Sequence, residues 1–263
     1  MKGRGSEATE WLFQPCPPRR ERLAAGHDYP RHRHSRGYVS LILSGGFEEA
    51  GDYGRRRVGP GDALLHGPFI AHTERAIRRT EILNFLLPYD IIPALQHGVL
   101  ADPDLIVRES ERSPAKALSL FFQQVRPVRP TPLEWPDLLA QAISSDLEVR
   151  LQEWASGHCL HPASLARGFG QIYGVSPGRY RVEQRARLAW QRIVASAEPL
   201  STIAYDLGFA DQAHMGRDVK ALTSATPSRW RRLRMFKTQV DESVVYKEWT
   251  GANSISPLSP QQG

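Results

Sequence analysis

The feature that most constrains this chain is a repeat about 50 residues long in its C-terminal third. Residues 175–181, with the sequence VSPGRYR, return as residues 225–231, with the sequence ATPSRWR. Residues 165–169 and 215–219 lie at the same offset, and they place apolar residues and an arginine at matching positions. A repeat of this length indicates two copies of one supersecondary unit.

Helix start and stop signals indicate which secondary structure the repeated unit contains. Ser176 and Thr226 each stand before a proline, and a hydroxyl cap followed by proline is typical of a helix start. In the second copy, Gly208 is expected to end one helix in a left-handed conformation, and Asp211 is expected to cap the next helix. Two helices joined by a short glycine turn form a helix-turn-helix, whose second helix can enter the DNA major groove.

The first copy is less regular than the second. Its leading helix and turn are expected within residues 151–160, but Gly157-His158 does not align with Gly208. We therefore expect the second copy to contribute more to the choice of DNA sequence, and the first copy to contribute mainly grip.

Positive charge is concentrated on the same part of the chain. Residues 157–237 hold 13 Lys and Arg against 5 Asp and Glu, a local balance of +8 in a chain whose net charge is +6. Concentrated arginine favours a polyanionic partner, although a solvated basic surface would have the same composition.

The apolar and cysteine content predicts a cytoplasmic protein. There is no apolar run of the roughly eighteen residues that a transmembrane helix needs, so no membrane partner is expected. The chain starts with MKGRGS and lacks the apolar core of a signal peptide. Cys16 and Cys159 are its two cysteines, which fits neither a disulfide framework nor a cysteine zinc site.

The N-terminal half shows a different pattern. Short β-branched runs between glycine turns, such as residues 38–43 before Gly45, indicate a sandwich or a small barrel. Helices are expected near residues 91–99 and 114–125. The proline-rich residues 126–137 predict a stiff linker, and almost everything from residue 138 to residue 236 is expected to be helical.

The second copy is similar to the signature of AraC-type transcription regulators, and the resemblance covers about residues 138–235. The residues that carry it are Ile203-Ala204, residues 207–214, Arg217, Lys220, Thr226-Pro227 and Trp230-Arg231. Members have two helix-turn-helix units joined by a long helix, and they place both recognition helices in successive major grooves. This chain departs from the usual pattern at Met215 and Val219, where members have Phe, and at Ser224, where they have Gly.

The resemblance implies which residues read DNA. The first recognition helix would be residues 162–173, with Ala163, Ser164 and Arg167 outward; the second would be residues 212–222, with Gln212, Ala213, His214, Arg217 and Lys220. Arginine can pair with guanine and glutamine with adenine, although Arg167 and Arg217 could instead contact phosphate or form internal salt bridges. Arg179 and Arg231 are interpreted as phosphate contacts or as part of a solvated face. The implied partners are double-stranded DNA and RNA polymerase.

The N-terminal half resembles the cupin barrel. Gly26, His32 and His34 match the G-x5-H-x-H portion of that family, and His72 stands where the second cupin motif offers its histidine. The resemblance implies a small-molecule effector pocket lined by His32, His34, Tyr38 and His72. It also allows a divalent Fe, Mn, Zn, Ni or Cu ion on His32, His34 and His72. The usual cupin glutamate is missing after His34, so a barrel without a metal cofactor is favoured.

The predicted fold class is a multidomain α+β protein, with an N-terminal cupin-like β-barrel followed by an all-α domain with two helix-turn-helix units. The expected order is a flexible N-terminus (1–20), a sensor and dimerisation domain with a helical extension (21–125), the linker (126–137), the DNA-binding domain (138–237) and a disordered tail (238–263). A homodimer is expected, with residues 114–125 as its apolar interface helix.

The predicted function is sequence-specific regulation of transcription under the control of a small-molecule effector, without enzymatic activity. Two alternatives stay open: a metal-dependent cupin enzyme, such as an oxygenase, fused to a DNA-binding domain, and a constitutive DNA-binding protein whose barrel only dimerises. The sequence has no nucleophile-elbow, phosphate-loop or paired-cysteine motif that would indicate another chemistry.

Overall fold

The computed structural model describes residues 17–87, 93–128 and 134–237, with side chains as far as residue 233. The predicted tail at 238–263, residues 129–133 of the predicted linker and most of the predicted flexible N-terminus lie outside these ranges. Residues 19 and 20, predicted to be flexible, begin a strand instead. Within the described residues, no helix combines the length and the apolar character needed to cross a membrane.

Ten strands and nine helices are described. The strands are β1 (Arg19–Leu23), β2 (Asp28–Arg33), β3 (Tyr38–Ser44), β4 (Phe47–Gly51), β5 (Gly54–Val58), β6 (Asp62–His66), β7 (Ala71–Ala76), β8 (Thr80–Leu86), β9 (His97–Val99) and β10 (Arg126–Pro127). The helices are α1 (Pro103–Arg112), α2 (Pro114–Gln124), α3 (Trp135–Ser145), α4 (Leu151–Gly157), α5 (Pro162–Tyr173), α6 (Pro177–Ala195), α7 (Leu200–Asp206), α8 (Gln212–Thr223) and α9 (Pro227–Lys237).

The chain divides into two compact units between Arg187 and Leu188, inside α6. This division does not coincide with the linker predicted at residues 126–137, which stays a prediction about how the chain is organised. The first unit holds all ten strands and the helices as far as the first part of α6; the second holds the rest of α6 and the helices α7 to α9. The predicted order, a sheet-rich part followed by a helical part, is confirmed.

The strands form two antiparallel sheets. Sheet A has the order β1-β8-β3-β6-β9-β10, and sheet B has the order β2-β7-β4-β5. The prediction of a helix near residues 91–99 is wrong over the described residues 93–99. His97–Val99 is strand β9, which pairs with both β6 and β10. Gly98 permits this pairing, since a Cβ there would lie only 2.5 Å from Val125 Cγ2.

The outer face of sheet A is covered by α1 and α2. The predicted helix at residues 114–125 is confirmed as α2, and its Ala117 and Phe121 are fully buried in one core with Val39 and Phe85 of the sheet. Alternation along a strand explains why residues 38–42 of β3 are all buried: Val39 and Leu41 face these helices, and their neighbours face sheet B. The apolar side of α2 is therefore used within this core, and the predicted dimer gains no support from it.

The outer face of sheet B packs against α3 and α5. Ala50 of β4 lies in one apolar cluster with Leu139 of α3 and Phe169 of α5. On the neighbouring strand, Thr73 donates a hydrogen bond from Oγ1 to the carbonyl oxygen of Ile172, at 3.2 Å. The first recognition helix therefore packs on the sheet-rich part of the first unit.

Four charged side chains connect the same sheet to α6. We call them the buried ion cluster, and they are Arg31, Asp52, Glu183 and Arg187. Arg31 Nη2 lies 2.6 Å from Asp52 Oδ1, and Arg31 Nε lies 3.0 Å from Glu183 Oε2. The Arg187 Nε atom lies 3.5 Å from Asp52 Oδ2. Every one of these side chains is at most 9% exposed, so each charge depends on its partners instead of on water.

We predict that Arg31→Ala strongly destabilises the protein, because it leaves Asp52 and Glu183 buried with less compensating charge. Removing one partner of a buried ion pair costs about 3–5 kcal/mol of the free energy of unfolding. Arg22→Ala is the control, since Arg22 is 68% exposed and lies 3.8 Å from Glu81, and it should cost less than about 1 kcal/mol. Urea denaturation measures both, and equal losses in the two variants would contradict the structural role of the cluster.

Candidate functional site

The two helix-turn-helix copies differ by one residue in their turns. The leading helices, Leu151–Gly157 and Leu200–Asp206, match at an offset of 49 residues, whereas the recognition helices, Pro162–Tyr173 and Gln212–Thr223, begin at an offset of 50. The turn of the first copy is therefore one residue shorter. This is why Gly157-His158 did not align with Gly208 in the sequence.

Despite that difference, the turns share one backbone geometry. Leu160 N donates to Ala155 O at 2.9 Å, and Phe209 N donates to Ala204 O at 3.0 Å, at equivalent positions. The residue before each donor has a left-handed backbone: Cys159 has φ +55° and Gly208 has φ +71°. The predicted left-handed turn at Gly208 is confirmed. In the first copy the glycine signal was absent because a cysteine takes this conformation.

The predicted helix caps are also confirmed. Asp211 Oδ1 accepts a hydrogen bond from His214 N at 2.6 Å. Ser176 and Thr226 each accept from the backbone amide three residues later, at 3.3 and 3.4 Å. His161 takes the capping place in the first copy. These caps satisfy amides that a helix leaves without partners in its first turn.

The departures from the usual family residues have different consequences. Met215 and Val219 are fully buried, so they keep the apolar packing of the second unit. Ser224 ends α8 with φ +62°, and Gly174 ends α5 at the equivalent place with φ +71°. A left-handed backbone costs a residue with a Cβ roughly 1 kcal/mol, and glycine avoids that cost.

We predict that Ser224→Gly stabilises the second unit by about 1 kcal/mol, because it relieves the left-handed strain. Ser228→Gly is the matched control, since Ser228 is exposed in α9 and glycine there should lower stability by up to about 1 kcal/mol. Thermal unfolding of the two variants should shift in opposite directions. A fall in the melting temperature for Ser224→Gly would show that its side chain makes a compensating contact.

The residues predicted to read DNA are mostly on the surface. Arg167 and Arg217 both stand six residues after the cap of their recognition helix, and both are exposed. Within the described part of the chain, neither guanidinium has an ion-pair partner. The other predicted positions are exposed at Ala163, Ser164, Gln212, Ala213 and Lys220 and half-buried at His214, whose Nε2 lies 3.5 Å from Asp218 Oδ2.

The two arginines interpreted as phosphate contacts also bind other groups of the chain. Arg179 Nε lies 3.0 Å from Glu183 Oε1 on the next turn of α6. Arg231 Nη1 donates to the backbone carbonyl oxygen of Glu198 within the second unit. Both side chains thus have a structural role, and contact with phosphate stays a prediction for each of them.

The interior between sheets A and B holds a group that we call the histidine cluster. It consists of His32 and His34 at β2, Tyr38 of β3, Glu49 of β4, His66 of β6, and His72 and Glu74 of β7. The structure brings together the four residues predicted for a ligand pocket. His32 and His72 are register partners with ring centroids 4.4 Å apart, the rings of His34 and Tyr38 are 4.9 Å apart, and Tyr38 Oη lies 3.2 Å from His72 Nε2.

The sequence missed Glu49 and His66. Their side chains are almost fully buried, and His66 Nε2 lies 2.8 Å from Glu49 Oε2. A buried carboxylate thus stands beside the histidines, on a different strand from the one where the cupin pattern would place it. The sequence offered little signal for either residue, since Glu49 follows another glutamate in β4 and His66 ends the apolar run of β6.

The interior position changes how these groups ionise. Partial desolvation of its ring lowers the pKa of His34 to about 4, with further lowering by His32, and full burial takes the pKa of His72 well below its usual value. Burial raises the pKa of Glu49, but the nearby His66 outweighs that effect and lowers it overall. Burial, together with the charge of Glu49, raises the pKa of Glu74 to about 8. At neutral pH the cluster therefore offers neutral imidazoles at His34 and His72 and an ionised carboxylate at Glu49.

We predict that Glu74→Gln stabilises the metal-free protein increasingly as the pH rises. Glu74 keeps its proton in the folded state up to a pH of about 8, whereas its ordinary pKa is 4.5, so the wild type loses stability as the pH rises between these values. The glutamine variant lacks this loss. Melting temperatures between pH 5 and pH 9 in a chelating buffer measure the difference. The exposed Glu111→Gln is the control, and a constant gap for Glu74→Gln would refute the assignment.

Two sets of three side chains in the cluster could hold a metal ion. One ligand atom each of His32, His34 and His72 lies within 4.8 Å of the others, and the same is true of Glu49, His66 and His72. The residues fit a divalent ion, since imidazole and carboxylate are ligands of first-row transition metals. His72 belongs to both sets.

Comparison with known proteins finds similarity in the helical segment of the chain. Residues 154–233 match the family model described as a helix-turn-helix domain. The arabinose operon regulatory proteins of Salmonella typhimurium and Escherichia coli are each 34% identical to this chain over 73 residues, or 28% of this chain. Those residues are 26% and 25% of the two relatives, so the chain matches about a quarter of their length. The predicted AraC-type resemblance is confirmed over this segment.

Solved structures resemble the chain more weakly. ToxT from Vibrio cholerae is 11% identical, with 82% of this chain and 97% of that chain covered, and the TM-score is 0.40. A salicylate 1,2-dioxygenase from Pseudaminobacter salicylatoxidans covers 26% of this chain at a TM-score of 0.25. TM-scores this low do not establish a shared arrangement.

Proposed function

We propose that this chain is a sequence-specific DNA-binding regulator of transcription whose sheet-rich part senses a small ligand. The observation that carries the proposal is the match of residues 154–233 to a helix-turn-helix domain, in a segment whose helices form two copies of the motif. The relatives over this segment are named as regulators of an operon, which supports the same role here. Double-stranded DNA is the proposed partner, and the cytoplasm is the proposed location.

The paired arginines support direct reading of DNA bases. Arg167 and Arg217 project from equivalent turns of the two recognition helices and are exposed. Arginine forms two hydrogen bonds with guanine in the major groove. Gln212, at the start of α8, can pair with adenine, whereas the first helix has only Ala163 and Ser164 beside its arginine. The second copy therefore carries the richer reading surface.

The sheet-rich part is proposed as the sensor because strand β2 contributes one residue to the buried ion cluster and, next to it, one residue to the histidine cluster. His32 faces the interior between the sheets, and Arg31 faces the opposite way, toward Glu183 of α6. A ligand that displaces His32 would therefore act on the residue next to it, which holds α6. An altered α6 is the proposed route by which the effector changes DNA binding.

The proposal assigns the chain no catalytic role, although the histidine cluster supports one alternative. Clustered imidazoles beside a carboxylate are the ligands of metal-dependent oxygenases, so a metal enzyme fused to a DNA-binding domain would have the same interior. Oxygen consumption by the metal-loaded protein in the presence of candidate substrates would favour that alternative. A homodimer and a contact with RNA polymerase complete the proposal, both by analogy with AraC-type regulators.

Selection of binding sites from random DNA by the full-length chain tests the proposal. We predict that Arg217→Ala loses discrimination at one guanine of the selected site, because a bidentate contact to a base contributes about 1–3 kcal/mol. Affinity for the best site should fall by about 5- to 150-fold, and affinity for DNA altered at that guanine should hardly change.

Lys220→Ala is the control for this experiment, because lysine at the end of α8 suits a phosphate contact. It should weaken binding to all sequences alike and reduce the salt dependence of affinity. If Arg217→Ala behaves in the same way, Arg217 is a phosphate contact only. If the full-length chain selects no DNA sequence at low salt, the proposed function is wrong.

A further inference from the structure

We infer that Arg181 and Arg231 are positioning residues, which set the place of the leading helix in each helix-turn-helix copy. Arg181 Nη2 donates a hydrogen bond to the backbone carbonyl oxygen of Val149, and Arg231 Nη1 donates to that of Glu198. We call these two contacts the arginine clasps. Their role rests on the proposed function, since it matters only when the chain reads DNA.

The arginine clasps occupy the same place in the two copies of the repeat. Val149 and Glu198 each stand two residues before a leading helix, α4 or α7. Arg181 and Arg231 each stand five residues after the hydroxyl cap of the helix that follows the recognition helix. The clasps join residues 32 and 33 positions apart, a difference that matches the shorter turn of the first copy. The contact is thus kept although the turns differ in length, so it belongs to the repeated unit itself.

The leading helices need contacts that fix their position. Each is seven residues long, and among the described residues no side chain caps the first turn of either helix. Helix α4 buries Ala155, and helix α7 buries Ile203 and Ala204. Helices this short are not stable in isolation, so contacts with the rest of the chain must hold them. Each clasp supplies such a contact to the segment directly before the helix.

The guanidinium groups of the clasps are turned toward the protein. In the part of the chain that the structure describes, Nε of Arg181 and both Nε and Nη2 of Arg231 are shielded from solvent and have no hydrogen-bond partner. Arg231 Nη1 also donates to the carbonyl oxygen of Ala197, at 3.5 Å. A phosphate contact needs donors that reach the surface, whereas these donors lie against the chain. The geometry therefore favours the clasp over a phosphate contact at both positions.

Ion pairs at the same segments are weaker supports. Arg185 Nη2 lies 3.3 Å from Glu148 Oε1, but the Glu148 side chain is 75% exposed. In the second copy, Arg192 pairs with Glu198 and Asp206, whose side chains are 40% and 41% exposed. Exposed ion pairs contribute little, because water and salt screen them. Glu148→Gln is therefore a control, since it breaks an ion pair and leaves the clasp in place.

The leading helix helps to decide how its recognition helix meets DNA. In helix-turn-helix proteins the first helix crosses the DNA backbone, and the second lies in the major groove. Phosphate contacts fix the register of a protein on the duplex, and the bases are read in that register. A shifted leading helix would therefore misplace Arg167 in the first copy or Arg217 in the second. Each clasp is expected to protect base discrimination in its own copy only.

Amide hydrogen exchange of the free full-length chain tests the clasps without DNA. Methionine keeps an apolar stem like that of arginine but cannot donate a hydrogen bond. We predict that Arg181→Met speeds exchange in α4 by at least ~10-fold and leaves α7 within about 2-fold, and that Arg231→Met does the reverse. Glu148→Gln and Arg229→Met, which alters an exposed arginine of α9, should leave both helices within about 2-fold.

Lysine variants keep the test decisive where a methionine variant does not fold. Arg181→Lys and Arg231→Lys retain a charged donor, so they should lose less protection in their own leading helix than the methionine variants lose. Unchanged exchange in all clasp variants, or equal acceleration of α4 and α7 in each of them, would overturn the clasps.

Base discrimination by the same variants shows whether the clasps serve DNA reading. Bases whose discrimination falls in Arg167→Ala or in Arg217→Ala belong to the first or the second copy. Arg181→Met should lower discrimination at first-copy bases by at least ~5-fold and keep it at second-copy bases within about 2-fold, and Arg231→Met should do the opposite.

Uniform weakening on all sequences, or discrimination that no clasp variant changes, would overturn the positioning role. A wild type that selects no DNA would instead refute the proposed function, and the exchange rates would still decide whether the clasps exist.

Discussion

The first unit depends on Arg31, whose guanidinium joins a strand of sheet B to helix α6. Asp52 and Glu183 contact different nitrogens of this group, and Asp52 also accepts a hydrogen bond from the Ala71 amide, at 3.1 Å. A buried cation is costly unless hydrogen-bonded anions surround it, and these anions come from a turn after β4 and from α6. The residues can meet only if the sheet and α6 are both in place. One side chain thus makes the position of α6 conditional on the fold of the sheet.

The first copy of the repeat also packs against the sheet-rich part of its unit. The first recognition helix shares its apolar cluster with Ala50 of the sheet, so its core is partly made by another element. In the second copy, Ile203, Phe209 and Met215 are buried. A duplicated sequence therefore does not give two equivalent modules. In the first copy, part of the apolar packing is provided by contacts to the sheet-rich part.

Local signals predicted the helical half well and the histidine cluster only in part. Caps such as Asp211 and the turn at Gly208 depend on neighbours in the sequence, so the pattern was sufficient. Strand β9 was mistaken for a helix because its pairing with β6 and β10 is set by residues far away in the chain. Glu49 and His66 were missed for the same reason. Their contact depends on which strands face each other across the interior, and no short motif encodes it.

The histidine cluster and the buried ion cluster meet at strand β2, where each takes a residue from one of the two faces of the strand. In β2, His32 turns to the interior and Arg31 to α6, because successive side chains of a strand point to opposite faces. A ligand that rotates or shifts this strand must therefore move both groups. Allosteric coupling commonly amounts to about 1–3 kcal/mol, which is less than the ~3–5 kcal/mol lost when a buried ion pair is broken. Weakening the contact between Arg31 and Glu183, without breaking it, would be enough to carry a regulatory signal from the sheet to the helix.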